Sequence, residues 1–308
     1  MKKNLVLFSA MLLTVGLAAF AHGGGGGGRG AHEDGLAVGF EWGYRDSDPR
    51  LGGGHHYVRP YIAYGQRFLD DTIGLIAEMD ITTAFDDGGT ENSLYLNLEF
   101  SFDRRLSEDV TLTFILEKEF DDLMLSPRAN DSPNMTAVIA PGARLSRVFY
   151  NGDTIFTEVS MPITYLDTWG GVTMEASRRN NVFGFNFTFG WESAFGLNVE
   201  ATLATTVAGR QNADGTWPAH TAGAAAGITN LELGFTYEVN RLFLGLDFDI
   251  KRGANGPAGL MITPMVSVNV GHFDIYAYWV FDHVRPGWRP NNRLENSVSL
   301  GVRWTVFD

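Results

Sequence analysis

Three pairs of carboxylates occur in the sequence at a spacing of two residues. The pairs are Glu78 with Asp80, Glu117 with Glu119, and Asp247 with Asp249. Alternate residues of a β-strand project from the same face, so on strands each pair presents two carboxylates side by side. Such pairs suit three tasks: lining a solvated channel, binding a divalent cation, or acid and base catalysis. We expect the lining role and keep the other two as alternatives.

A second combination of catalytic residue types is Asp282 beside His283. An Asp and a His in contact would favour a hydrolase, but neighbours on a strand point to opposite faces, so these two do not easily act together. The other histidines fall in predicted connections or near the N-terminus, and the chain has no cysteine. We therefore predict no enzyme, no metal site and no cofactor.

The segments that carry these residues alternate between apolar and polar side chains. In residues 183–191, Phe183, Phe185, Phe187, Phe189 and Trp191 share one face, and small or polar residues share the other. An aromatic row of this kind is unfavourable on a soluble surface and suits hydrocarbon. The alternation recurs in about fourteen segments, with twelve or sixteen as alternatives. The segments are 36–44, 57–66, 73–85, 93–102, 110–120, 135–145, 155–165, 183–191, 195–207, 231–239, 242–250, 260–270, 273–281 and 294–307.

The connections between the segments are predicted to alternate between short and long, as they do in transmembrane barrels. The short ones are 68–71, 103–109, 151–153, 192–194, 240–241 and 271–272. The longer ones are 45–56, 86–91, 121–134, 166–181, 208–227, 251–256 and 282–293. We expect an all-β, antiparallel, up-and-down transmembrane barrel. Both termini should be periplasmic, because an even number of strands returns the chain to the side from which it started.

The N-terminus indicates export. Lys2 and Lys3 precede an apolar run that ends in Ala19-Phe20-Ala21, so residues 1–21 are predicted to be a signal peptide. Residues 22–34 are rich in glycine and form a predicted disordered lead-in, and residues 35–308 form a single barrel. A mean hydropathy of -0.06 is too polar for helical membrane spans and normal for strands that are half exposed to water.

From Leu36 to Phe307 the chain resembles bacterial outer-membrane β-barrels, more narrowly the monomeric porins of about fourteen strands. The alternating segments carry this resemblance, together with an aromatic residue near the end of the chain, Phe307, which Asp308 follows. The resemblance implies an outer-membrane location in a Gram-negative type of envelope, contact with outer-membrane lipid, and a monomer. It also implies recognition of the C-terminal strand by the barrel-assembly machinery.

The inner face is predicted to be acidic. Parity assigns to it Glu41, Glu78, Asp80, Glu99, Glu117, Glu119, Glu158, Glu200, Glu232, Asp247, Asp249 and Asp274, and the bases Arg59, Arg144 and Arg303. Burying so many carboxylates in a dry core would cost on the order of several kcal/mol each, so we expect a wet lumen. The prediction is a porin-like channel for passive diffusion of small solutes that favours cations. A sequence pI of about 4.9 argues against nucleic acid as a partner.

The predicted connection 121–134 contains Leu123, Met124 and Leu125, which are apolar for a segment exposed to water. We predict that they fold inward and constrict the mouth, with packing on a neighbouring loop as the alternative. Two other functions stay open. One is a barrel whose outer loops bind a surface ligand, as in adhesins, and the other is a barrel hydrolase.

Overall fold

The computed structural model describes residues 35–45, 54–86, 89–124, 134–168, 182–208, 227–253, 256–284 and 295–307. The predicted signal peptide and glycine-rich lead-in lie outside the described residues. The strands are β1 (Gly35–Arg45), β2 (His55–Phe68), β3 (Ile73–Asp86), β4 (Gly89–Arg105), β5 (Val110–Met124), β6 (Asn134–Val148), β7 (Thr154–Ser160), β8 (Ile163–Thr168), β9 (Val182–Glu192), β10 (Leu197–Ala208), β11 (Gly227–Val239), β12 (Leu242–Gly253), β13 (Gly256–Val270), β14 (Phe273–Val284) and β15 (Glu295–Phe307).

The strands form one closed antiparallel sheet. Each strand pairs with its neighbours in the chain, and β15 pairs with β1 from Leu36 opposite Phe307 to Arg45 opposite Ser297. Strands β7 and β8 are two halves of one position in the wall, between β6 and β9, so the barrel has fourteen strands. This confirms the predicted all-β barrel. The described residues contain no helix that is long and apolar enough to span a membrane.

The predicted segment 155–165 is interrupted between β7 and β8 at Met161 and Pro162. This interruption faces Pro141 of β6, and neither proline has an N–H to donate to a ladder. The neighbouring strands hold the break in place, because the Met161 N–H donates to the Pro141 carbonyl at 2.8 Å and the Gly184 N–H donates to the Pro162 carbonyl at 3.2 Å. The strand therefore keeps its position in the wall.

One end of the barrel carries only short connections, which fill the gaps 69–72, 106–109, 149–153, 193–196, 240–241 and 271–272 between strands. Two of them are two-residue turns, whose first residues, Asn240 and Gly271, have positive φ angles of 57° and 69°. Asn and Gly tolerate this conformation, which fits the right-handed twist of the flanking strands. The described ends of the chain lie at this short-turn end as well, since Leu36 pairs with Phe307.

At the opposite end, the predicted long connections at 86–91 and 251–256 are wrong. Asp86 pairs with Gly89, and Gly253 pairs with Gly256, so each hairpin leaves only two residues between its strands. The alternating pattern ends before the ladder does, because strands that extend beyond hydrocarbon keep their backbone pairing without an apolar face.

The outer face of the sheet is apolar. Exposed aromatic residues include Phe40 and Trp42 on β1, Phe187 and Phe189 on β9, and Trp279 on β14. A closed sheet leaves no unpaired backbone edge, so such a surface can contact hydrocarbon. The barrel is therefore of the transmembrane type.

Aromatic residues near the short turns mostly face outward. Phe68, Phe102, Phe195 and Phe273 are exposed, and Phe273 stacks on Trp304 at a centroid distance of 6.1 Å. Phe243 is the exception, because it lies on the inner face of β12, where it lines an internal cavity.

Glycines on the inner face make room for aromatic rings. A Cβ atom at Gly43 would overlap the Tyr57 ring that lies across the neighbouring strand. Other rings cover glycines in the same way: Tyr61 over Gly39, Tyr276 over Gly301, and Phe156 over Gly190. These rings lie flat against the wall and fill part of the interior.

We predict that Gly190→Ala lowers the free energy of unfolding by about 1–3 kcal/mol, as overpacking does, because the new methyl group meets the Phe156 ring. Gly245→Ala on β12 is the matched control, since a Cβ there makes its closest contact at 3.4 Å. Urea unfolding of the refolded barrel, followed by tryptophan fluorescence, measures both variants. Equal effects of the two substitutions would contradict this packing, and Phe156→Leu should restore part of the loss at Gly190.

The short turns at residues 149–153 and 193–196 are joined by Asp153. Its carboxylate accepts hydrogen bonds from the Ala194 N–H at 3.0 Å and from Trp191 Nε1 at 3.3 Å. The bond from Ala194 is the main reason that the pKa of Asp153 lies below its ordinary value of 3.8. A lowered pKa in the folded state means that the carboxylate stabilises the fold above the ordinary value, and that this contribution is lost as the pH falls through the folded value.

Asp153→Asn should therefore reduce stability at neutral pH, and the difference from the natural chain should shrink below about pH 4. Urea midpoints measured across that range test this. Glu108→Gln removes one charge from another short turn and controls for net charge. A difference that persists unchanged at low pH would show that the Asp153 charge is not responsible.

Candidate functional site

The interior of the barrel holds the residues that the sequence assigned to a pore. Residues directly opposite each other in an antiparallel pair share a face, so the register links the positions around the wall. Glu41 opposes Arg59, Arg144 opposes Glu158, and Asp274 opposes Arg303. Followed from strand to strand, this register places every predicted acidic and basic lining residue on the inner face. Their surroundings differ greatly, however, and not all of them face water.

Among the residues that the structure describes, Glu41 is the most deeply buried charged one, with 1% of its surface exposed. Its Oε1 accepts hydrogen bonds from Tyr278 Oη at 2.7 Å and Tyr57 Oη at 3.1 Å. Its Oε2 accepts from Tyr276 Oη at 3.3 Å and from Arg59 Nη2 at 3.4 Å. Hydrogen bonds from four donors offset the loss of hydration of this buried carboxyl group. Glu41 is therefore the centre of a polar network and does not line open solvent.

This Glu41 network crosses the seam at which the sheet closes. It joins Glu41 on β1 to Tyr57 on β2 and Tyr278 on β14, and Tyr57 also shares a hydrogen bond with Ser299 on β15, which is 0% exposed. The strands of the seam come from opposite ends of the chain. The network thus adds side-chain bonds to a backbone ladder between residues that are far apart in sequence.

Arg144, another of the predicted basic lining residues, is also paired with a carboxylate. Arg144 forms a salt bridge with Glu158 at 2.8 Å, and its guanidinium lies 4.3 Å from the centroid of the Phe156 ring. The third, Arg303, lies opposite Asp274 and Gly39 near the seam. Of the three predicted basic lining residues, Arg59 and Arg144 therefore form salt bridges with carboxylates, and Arg303 lies opposite one in the ladder.

Carboxylates dominate the remaining inner wall. On one side, Glu99 and Glu117 are directly opposite each other on β4 and β5. On the other side, Glu232 on β11 is directly opposite Asp249 on β12. Like charges in this position repel each other. Water or positive ions beside these pairs would relieve this repulsion.

An internal cavity of about 610 Å³ lies toward the short-turn end. Its wall is formed by β2 to β7 and β9 to β12, and it includes Glu99, Arg144, Glu200 and Gly234. The strands at the seam do not contribute to it. The open space is therefore displaced from the barrel axis, away from the side that the tyrosines fill.

The three same-face carboxylate pairs are on β3, β5 and β12, as their spacing predicted. Asp80, Asp247 and Asp249 are buried, whereas Glu78, Glu117 and Glu119 are partly exposed. In the part of the chain that the structure describes, no group of three His, Asp or Glu side chains is arranged to hold a metal ion.

The connection predicted at residues 121–134 begins later than expected, so two of the three predicted constriction residues lie in a strand. Leu123 and Met124 belong to β5, where their backbones pair with Leu94 and Ser93, and Leu125 lies outside the described residues. The two histidines assigned to the first outer connection are also in a strand. His55 and His56 begin β2, and the His56 ring stacks on Trp42 at 5.5 Å on the outer face. The side chains of Asp282 and His283 lie outside the description.

The interior also contains tyrosines that were not among the predicted lining residues. Tyr57 and Tyr61 have the same parity as Arg59 on β2, Tyr95 has that of Glu99 on β4, and Tyr276 and Tyr278 have that of Asp274 on β14. The sequence contains a signal for them, because inward tyrosines and inward glycines occur on consecutive strands. The register then places Tyr57 opposite Gly43 and Tyr276 opposite Gly301. Rings over glycines are a recurrent way to fill such gaps in a sheet.

No protein-family model and no curated protein matches this chain. Several solved structures are similar to it. The TodX monoaromatic hydrocarbon channel has a TM-score of 0.48 at 10% identity, covering 89% of this chain and 91% of that one. The KdgM porin has a TM-score of 0.39 at 10% identity, covering 88% and 99%. Outer membrane phospholipase A from Escherichia coli has a TM-score of 0.41 at 13% identity, covering 69% and 80%. Similarities at this level do not bear on activity or substrate.

We predict that Glu41→Gln lowers the free energy of unfolding by about 3–5 kcal/mol, because it leaves the Arg59 guanidinium buried without its carboxylate. Arg59→Leu should cost a similar amount. The double variant should cost less than the sum of the two, since it leaves neither charge without a partner. Urea unfolding measures the three variants, and Glu117→Gln serves as the control from a more exposed inner position. Additive effects would show that the two residues are not coupled.

Proposed function

We propose that this protein is a narrow diffusion channel of the outer membrane that favours cations. The observation that carries the proposal is the excess of carboxylates on the inner face of a closed barrel whose outer face is apolar. Fixed negative charge around a confined aqueous path attracts cations and repels anions. The expected solutes are small and are neutral or positively charged.

The width of the path follows from what fills the barrel. A backbone of fourteen strands is wide enough for a channel, since about eight strands are filled by their own side chains. Here Tyr57, Tyr61, Tyr276 and Tyr278 occupy the seam side, and on the opposite side of the lumen Phe156 lies flat over Gly190. The remaining path is therefore narrower than the backbone alone implies, and it runs beside the acidic strands.

The arrangement in the membrane follows from the same features. The short-turn end, where the described ends of β1 and β15 meet, is proposed to face the periplasm, as short turns do in bacterial outer-membrane barrels. Contact with outer-membrane lipid through the apolar band, recognition of the C-terminal strand during assembly and a monomeric state belong to this proposal. The proposal does not include a catalytic activity.

The proposal predicts stepwise conductance when the refolded protein is added to a planar bilayer, with a reversal potential that indicates preference for potassium over chloride. Glu78, Glu117 and Glu119 are the partly exposed members of the same-face pairs. Replacing all three with Gln should shift the reversal potential toward zero while the barrel stays folded.

The matched control removes three negative charges outside the lumen, through Asp70→Asn, Asp71→Asn and Glu108→Gln in short turns. This variant should change selectivity less than the lumen variant. Equal shifts would mean that net charge, not position in the lumen, determines selectivity. Correctly folded protein that conducts no ions would overturn the proposal, and turnover of lipid or peptide that His283→Ala abolishes would favour a hydrolase instead.

A further inference from the structure

We infer that the acidic wall on β10 to β13 holds a binding site for aliphatic di- and polyamines. The inference rests on the proposed channel function and names a class of solute for it. Its core is a row of four directly opposed inner positions, Glu200, Gly234, Asp247 and Thr263. The next row toward the opposite end of the barrel adds Glu232.

The row has a gap in its centre. Gly234 has no side chain, and Glu200 and Asp247 flank it on the neighbouring strands. Two strand spacings separate the Glu200 and Asp247 backbones by roughly 10 Å. The Gly234 backbone therefore lies between the positions of the two carboxylates. Glu200 and Gly234 both line the 610 Å³ cavity, so this part of the row borders the cavity, and Asp247 lies behind it on the next strand.

Two buried polar atoms in this row lack a hydrogen-bond partner among the described residues. They are Oδ1 of Asp247 and Oγ1 of Thr263, whose residues are 4% and 6% exposed. A buried polar atom without a partner is costly, and a carboxylate oxygen more so than a neutral one. These two atoms are directly opposed on β12 and β13. They mark a place where a ligand with N–H donors would supply the missing bonds.

The chemistry of the wall selects the class of ligand. The carboxylates call for a cation, but no described group of three acidic or histidine side chains is arranged to hold a metal ion. A metal ion requires its oxygen ligands to converge on one point at about 2–2.6 Å. A polyamine has no such requirement, because its ammonium groups are separated by methylene chains and can reach carboxylates that are spread along a wall.

The scarcity of basic side chains near the site favours a cationic ligand. Arg144 is engaged by Glu158, and no described inner side chain of β9 to β13 is a Lys or an Arg. Lys251 is the next inward position of β12 after Asp249, and its side chain lies outside the description. The inference therefore depends on Glu200, Asp247 and Thr263, which are farther from Lys251 along the sheet than Asp249 is.

The test uses spermidine as the probe and the refolded full-length barrel. Isothermal titration calorimetry in detergent micelles measures binding without requiring conductance, and added spermidine should also reduce potassium current in a planar bilayer. The double variant Glu200→Gln with Asp247→Asn should weaken binding and block by roughly tenfold or more, as loss of charge-assisted hydrogen bonds does. The matched control, Glu117→Gln with Glu119→Gln, removes two carboxylates from β5 and should change the spermidine affinity less than threefold.

Several results would overturn the inference. Failure of spermidine to bind the folded natural barrel would overturn it directly. Equal losses of spermidine affinity in the two double variants would show that only net charge matters. If the double variant fails to fold, Glu200→Gln alone is the second test, and an unchanged spermidine affinity in it overturns the site. Cation preference without spermidine binding would leave the proposed channel standing, whereas spermidine binding without conductance would leave the site and remove the channel.

Discussion

The structure depends on one constraint, which is that every backbone N–H and C=O in contact with hydrocarbon needs a partner within the chain. A sheet satisfies this only when it has no edge, so the pairing of β1 with β15 is what permits an apolar outer face at all. The side chains at that seam are organised accordingly. Glu41, Arg59 and three tyrosines connect strands from the two ends of the chain through hydrogen bonds that are shielded from water.

The same seam determines the shape of the interior. Glycines on β1 and β15 let the rings of Tyr57, Tyr61 and Tyr276 lie against the wall, so that side is filled and the open cavity lies near the other strands. Where the carboxylates meet donors, as at Glu41 and Glu158, they stabilise the barrel. Elsewhere two carboxylates lie directly opposite each other, as Glu232 and Asp249 do, although Glu232 also accepts a hydrogen bond from Asn230 Nδ2 at 2.7 Å. The carboxylates of the acidic inner face thus differ in their neighbours.

Parity along the chain was a sound guide to which face a residue occupies, and a poor guide to its surroundings. Glu41 and Glu117 have the same inward parity, yet one is buried under tyrosines and the other is partly exposed. The difference arises from neighbours on other strands, whose identity depends on register. For the same reason the hairpins at residues 87–88 and 254–255 were mistaken for longer loops, because backbone pairing continues where the apolar alternation has ended.

The sequence by itself determined the closed antiparallel architecture, an approximate number of strands and the chemical character of the two faces, because a period of two residues is local and survives without knowledge of partners. Only the tertiary structure decided which glycine receives which ring, which carboxylates acquire donors, and that Glu200 and Asp247 flank Gly234. These features depend on contacts between strands, and a shift of one residue in register would have changed all of them.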